Sequence, residues 1–105
     1  MVEHPRQGEV YWANLDPALG REIRKRRPVM IVSPDVMNRN LQTVIAAPIT
    51  STVREWPSRY IVILRGQRRS VALDQVRCLS VERLSKRIAA LDPEPALRVL
   101  RTMFA

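Results

Sequence analysis

Glu9-Val-Tyr-Trp-Ala-Asn14 alternates at period two, with Val10 and Trp12 on one face and Tyr11 and Ala13 on the other, and so reads as a strand. Asn14-Leu-Asp-Pro17 ends it, and Gly20 to Pro28 follows as a long basic loop with neither helical nor strand period. Val29-Met-Ile-Val32, bounded by Pro28 and Pro34, is a short continuous apolar run that suits a strand buried on both faces. Thr43-Val-Ile-Ala-Ala-Pro-Ile-Thr50 is a third strand, with Pro48 expected near its end or at an edge because proline cannot donate to the ladder. Tyr60 to Leu64 and Ser70 to Leu73 flank a turn at Gly66, and Arg77 to Ser80 and Arg87 to Leu91 add two short strands. Two segments read as helix. Ser33-Pro-Asp opens one or two turns from Pro34 to Asn40, and Asp92-Pro93 opens a longer helix that places Ala96, Val99, Leu100 and Met103 on one face. Many short strands with no βαβ alternation imply a mainly β chain with a C-terminal helix, folded as a small, strongly twisted, partly closed antiparallel barrel.

The chain has 105 residues, 46% of them hydrophobic, which predicts one domain over 1–105 with a core of its own. No apolar run approaches the ~18 residues that span a bilayer, so the expectation is a soluble, cytoplasmic protein with no membrane partner. The one cysteine, Cys78, cannot form an intrachain disulfide and reads as an inert core residue of its strand. The one histidine, His4, leaves no Cys/His set for zinc and no partner for a histidine-activated nucleophile. Metal sites and cofactors are therefore not expected, and any catalysis must use Arg, Lys, Asp, Glu, Ser, Thr or Tyr.

Eighteen basic residues against 10 acidic ones give a net charge of +8, which suits a polyanion. A GC-rich genome also raises arginine content, but it does not explain clustering. Five of the eight residues Gly20 to Arg27 are basic: Arg21, Arg24, Lys25, Arg26 and Arg27. Arg27 precedes Pro28 and is biased to an extended backbone, which restricts the direction of its side chain. Glu22 is the one acid in the cluster and reads either as charge neutralisation or as a proton acceptor. Thr50 ends its strand among Ser51 and Thr52 and, taken alone, reads as an ordinary strand-end hydroxyl. In the loop Ser51 to Ser58, Arg54 and Trp56 offer planes on which bases stack, with a barrel plug as the alternative for Trp56. The turn Gly66 to Arg69 adds two arginines that read as solvated.

Gly8-Glu-Val-Tyr-Trp, Leu15-Asp-Pro17, Gly20-Arg-Glu22, Arg27-Pro-Val-Met-Ile-Val-Ser33, Ala47-Pro-Ile-Thr50 and Leu73-Asp-Gln-Val-Arg77 together resemble the MazF/PemK family of toxin endoribonucleases over nearly the whole chain. The resemblance implies an SH3-like barrel that forms a homodimer and cleaves single-stranded RNA at short sequences without a metal. It implies neutralisation by an acidic, partly disordered MazE-like antitoxin. Carried over by position, it makes Arg27, Thr50 and Glu22 the catalytic candidates, with Arg21, Arg24, Lys25, Arg26, Arg54 and Trp56 as RNA-binding candidates. Arg21 stands where the family often has Ser, and the run Arg24 to Arg27 is more basic than is usual there. Two other classes fit the same barrel: a non-enzymatic gyrase poison of the CcdB type, and an SH3-like RNA-binding module without chemistry. The first commonly carries a terminal tryptophan, whereas this helix ends Met103-Phe104-Ala105.

Overall fold

The computed structural model describes residues 4–17 and 19–105. Seven strands run in chain order as β1 (Glu9–Asn14), β2 (Arg26–Ile31), β3 (Thr43–Thr50), β4 (Arg59–Leu64), β5 (Gln67–Ala72), β6 (Arg77–Ser80) and β7 (Leu84–Ala90). Helix α1 (Asp35–Asn40) joins β2 to β3, and α2 (Glu94–Met103) follows β7. Every strand pairing is antiparallel, and the order β4-β5-β3-β2-β1-β7 curls into a half-barrel, with β6 paired to β3 outside that path.

The central strands are apolar on both faces, and they divide the interior into two cores. Val10, Met30, Ala47 and Ile49 enter one cluster, together with Leu64, Val71 and Leu73. Val29, Ile31 and Ala46 enter the other, together with Leu15 and Leu79. The register Val29↔Pro48, Met30↔Ala47, Ile31↔Ala46 alternates between the two clusters, as the pleat requires. Met30→Ala would open a cavity in a fully buried site, a change that typically costs about 2–5 kcal/mol. Helix α2 closes the first core with Ala96, against which Val99 and Leu100 also pack; Met103 lies past that contact and is exposed. Asp92 supports the start of α2 by accepting the Glu94 amide at 3.0 Å.

Several elements depart from the sequence reading. β2 starts at Arg26, so Arg27 is a strand residue paired with Ala13 and not part of a loop. β5 starts at Gln67, three residues before the apolar stretch, because Gln67, Arg68 and Arg69 continue the hairpin ladder opposite Leu64, Ile63 and Val62. Pro48 lies inside β3, at the point on its outer edge where β6 pairing ends at Ala46 and β5 pairing begins at Ile49, so no ladder bond is lost there. Cys78 is exposed and not core; on β6 it is the neighbour Leu79 that turns inward. Gly8 has φ +92°, and a Cβ there would come within 2.4 Å of the Leu91 carbonyl oxygen, so only glycine lets the start of β1 run this close to the end of β7. No helix among the described residues is long and apolar enough to cross a membrane.

Candidate nucleic-acid interface

Arg27 sits opposite Ala13, and Thr50 opposite Ser70, on the sheet face that also carries Val29 and Pro48. The register that pairs Val29 with Pro48, carried two residues further, runs towards Arg27 on β2 and Thr50 on β3. The β2–β3 ladder stops at Val29 and Pro48; beyond it Arg27 pairs with Ala13 and Thr50 with Ser70, so the two stand on one sheet face just past the last rung of that ladder. Thr50 is buried, and its Oγ1 accepts the Thr52 amide at 3.2 Å, which leaves its hydroxyl proton free to donate. Ser70 beside it is fully buried, and its Oγ has no hydrogen-bond partner.

The loop backbone is tied down in part by carboxylates, while the guanidiniums of Arg24, Arg26 and Arg27 meet neutral acceptors. Lys25, at φ 72°, receives the Leu15 amide on its carbonyl at 2.9 Å and donates its own amide to Asp16 Oδ1 at 3.0 Å. Arg24 Nη2 donates to the Gly20 carbonyl at 3.1 Å and Arg27 Nε to the Arg24 carbonyl at 3.0 Å. Arg26 Nη2 donates to Ser85 Oγ at 3.1 Å, with its guanidinium 6.0 Å from the Trp12 ring centre. Arg21 is exposed. Glu22 accepts the Leu19 amide and closes a tight turn, with its carboxylate on the surface.

Arg27 and Glu22 line different depressions. Glu22 lines one of about 360 Å³ with Arg21, Pro48, Asp74, Gln75 and Arg77; Arg27 lines another, of about 340 Å³, at the open end of the barrel. Pro48 links them, since it neighbours Thr50 two residues along β3 and stands opposite Val29, two residues along β2 from Arg27.

Trp56 is exposed, at 47%, with the guanidinium carbons of Arg54 and Arg59 at 5.2 and 4.5 Å from its ring centre. It is therefore a surface plane with two guanidiniums against it and not a barrel plug. Arg59 also makes a two-pronged ion pair with Asp74, at 3.0 and 3.1 Å. Burial opposes ionisation of that carboxyl, but the bonds and charge of Arg59, with the Asp74 amide and the Ser58 hydroxyl, together outweigh it and hold Asp74 below its ordinary range.

Sequence reasoning assigned no role to Gln75, whose Oε1 accepts the Ile23 amide at 3.1 Å while its Nε2 donates to the Arg21 carbonyl at 3.4 Å. One side chain thereby staples the basic loop to the segment after β5. The motif Leu73-Asp-Gln-Val-Arg77 was its only signal. Arg59, Arg65 and Arg69 were missed as well. Among the described residues no group of three or more His, Cys, Asp or Glu is placed to hold a metal ion.

The sequence profile of the PemK-like, MazF-like toxins of type II toxin-antitoxin systems matches residues 6–103. Endoribonuclease EndoA of Bacillus subtilis (strain 168) is 32% identical over 95 residues, covering 85% of this chain and 82% of the relative. The crystal structure of MazF (Form-I) from Deinococcus radiodurans superposes with a TM-score of 0.83 at 25% identity, over 97% of this chain and 94% of that one. A mycobacterial endoribonuclease solved in complex with its cognate antitoxin has the same fold, with a TM-score of 0.80 at 23% identity over 95% of this chain and 94% of that one.

Proposed function

Because the chain belongs to the PemK-like, MazF-like toxins of type II toxin-antitoxin systems, we propose that it is an endoribonuclease toxin that cleaves single-stranded RNA in the cytoplasm without a metal. The observation that carries this reading is that Arg27 and Thr50 share one sheet face beside a basic loop whose side-chain cations make no ion pair among the described residues. Attack of a ribose 2′-oxygen on its own phosphodiester needs no external nucleophile, so the protein must position the strand and stabilise charge growing on the phosphate oxygens. Arg27 supplies that charge. As a permanently protonated group it does not deprotonate the 2′-hydroxyl, and Glu22 is the one of the three candidates that can accept a proton. Thr50 donates its hydroxyl to a phosphate oxygen. Arg21, Arg24, Lys25 and Arg26 hold neighbouring phosphates, and Arg54 and Trp56 offer stacking planes for bases.

Two chain partners belong to this reading. A second copy of the chain completes a homodimer, supported by apolar side chains left exposed at the end of α2, Met103 and Phe104. An acidic MazE-like antitoxin neutralises the toxin, its carboxylates replacing phosphates on the loop arginines; family membership and the antitoxin complex of the related mycobacterial fold support it. The test is to incubate the purified protein with mixed single-stranded RNA in excess EDTA and map the new ends. Short recurrent cleavage sequences with 5′-hydroxyl ends are expected. Intact RNA, or cleavage that appears only when Mg²⁺ is restored, would overturn the proposal.

A further inference from the structure

The open end of the barrel gathers four arginines from two segments far apart in the chain. Arg26 and Arg27 come from the start of β2, and Arg65 and Arg69 from the hairpin between β4 and β5; all four line the same cavity of about 340 Å³. Its floor is apolar and aromatic, with Trp12, Pro28, Ile49 and Leu64, and among the described residues no carboxylate lines it. Arg69 donates to the Arg68 carbonyl at 3.0 Å and to the Gln67 side-chain oxygen, while Arg26 and Arg27 donate to Ser85 and to the Arg24 carbonyl. None of the four is in an ion pair among the described residues. Arg65 occupies a left-handed turn position, φ 52° before Gly66 at φ 78°, where Asn, Asp or Gly is the favoured residue. Four unneutralised like charges around one cavity repel one another, and an anion entering between them relieves that repulsion.

An apolar floor with a few convergent polar groups, at a barrel mouth and of this volume, is the form of a small-ligand site. An aromatic floor under an arginine rim matches one nucleotide: the base lies over Trp12 and the rim takes its phosphates. Arg27 belongs both to this cavity and to the sheet face that carries Thr50, and Ser51, the residue after Thr50, lines the cavity too. Thr50 lies on the opposite face of the sheet from the floor residues Trp12 and Ile49, so Arg27 is the link between the two, and a strand held there reaches the mouth around the end of β2.

We propose that the barrel mouth is a nucleotide subsite for RNA next to the cleaved bond, with Arg65 and Arg69 of the β4–β5 hairpin gripping the flanking phosphates. This rests on the reading of the chain as an RNA-cleaving enzyme, and the test separates the two. Trp56→Phe leaves Trp12 as the sole tryptophan, so its emission reports the cavity floor. A single-stranded RNA methylated at every ribose 2′-oxygen is titrated into this protein, and into the same protein carrying Arg65→Gln and Arg69→Gln, at several salt concentrations.

Quenching of Trp12 by the RNA is expected. The double substitution should weaken binding by about tenfold per arginine, as one charge-assisted hydrogen bond carries, and should lower the log-log salt slope by about 0.7 per phosphate released. It should still cut unmodified RNA at the same positions, with a raised KM. Unchanged affinity and slope in a variant of unchanged melting temperature would overturn the subsite, and so would Trp12 quenching by an acidic peptide but not by RNA. If the natural chain cuts no RNA yet Trp12 and the hairpin respond as expected, the catalytic reading fails and the subsite stands. If it cuts RNA and the hairpin arginines are silent, the reverse holds.

Discussion

The cluster around Glu9 and the basic loop use arginine in opposite ways. Glu9 is buried at the start of β1, where Oε1 accepts the Arg6 amide at 2.7 Å and the Tyr11 hydroxyl at 3.1 Å, and Oε2 accepts Arg87 Nη1 of β7 at 2.8 Å. Burial pushes its carboxyl up, but these bonds outweigh it and hold the group below its ordinary value. There the arginine is consumed by structure: it neutralises a carboxylate and ties β7 to β1. By contrast, Arg24 in the loop and Arg27 at the start of β2 are held by backbone carbonyls, and Arg26 by a hydroxyl. Neutral acceptors fix a guanidinium in direction while leaving its charge uncompensated, which a phosphate site requires. Among the described residues, the charge available to a phosphate is thus set by which arginines lack a carboxylate partner and not by their number alone.

Arg27→Ala breaks this contrast most sharply. Loss of one preorganised charge contact should lower the cleavage rate by about 10²- to 10³-fold, with a melting temperature close to that of the natural chain. A folded variant that cleaves at the natural rate would remove Arg27 from the catalytic site. Glu9→Gln should do the opposite, leaving cleavage per folded molecule intact and costing roughly 1–3 kcal/mol of stability, because Arg87 loses its charged acceptor. Since the folded Glu9 carboxyl titrates below its unfolded value, its contribution is complete above the usual glutamate range near about 4.3 and is lost as the pH falls through the lower folded value. Chemical denaturation between pH 7 and pH 3 should therefore show the natural chain losing more stability than Glu9→Gln. Equal losses would mean that the cluster does not stabilise the fold.

Thr50→Val sits between these two in kind, since Thr50 both faces the proposed phosphate and accepts the Thr52 amide. Removal of one neutral hydrogen bond should slow cleavage by roughly 2- to 12-fold. If kcat is unchanged and only the melting temperature falls, the hydroxyl is structural.

The strands with a clear alternation or an apolar run were legible in the sequence. β1, β3 and β6 have the bounds that the pattern predicts, because burial on one or both faces writes itself into residue type. What escaped was set by contacts distant in the chain. Arg26 and Arg27 become strand residues because Asn14 and Ala13 pair with them, and the triplet Arg26-Arg27-Pro28 has no period of its own. Gln75 reaches Ile23 across 52 positions, and no local pattern encodes such a staple. Cys78 points outward because its neighbour Leu79 takes the core side of β6, so the alternation was legible but not which of the two faces is covered. The candidate site was legible only as motifs in order. The two depressions, and the separation of Glu22 from Arg27 between them, belong to the fold.

The smallest effect is expected at the third kind of arginine, the surface pair on α2. Arg101 Nη1 lies 2.9 Å from Glu94 Oε1, with side-chain exposures of 65% and 48%. At that exposure water screens the attraction, and ordering two long side chains offsets most of what remains, so Arg101→Ala should change stability by less than about 1 kcal/mol. The residue is seven positions from its partner on a helix whose buried face is elsewhere, and it lines neither the basic loop nor the barrel mouth. RNA affinity should therefore keep its salt slope in this variant, while variants at Arg27 or Arg65 lose part of theirs. If Arg101→Ala lowers the salt slope as much as those do, the protein attracts RNA through its net charge alone, and the distinction between compensated and uncompensated arginines has no functional meaning.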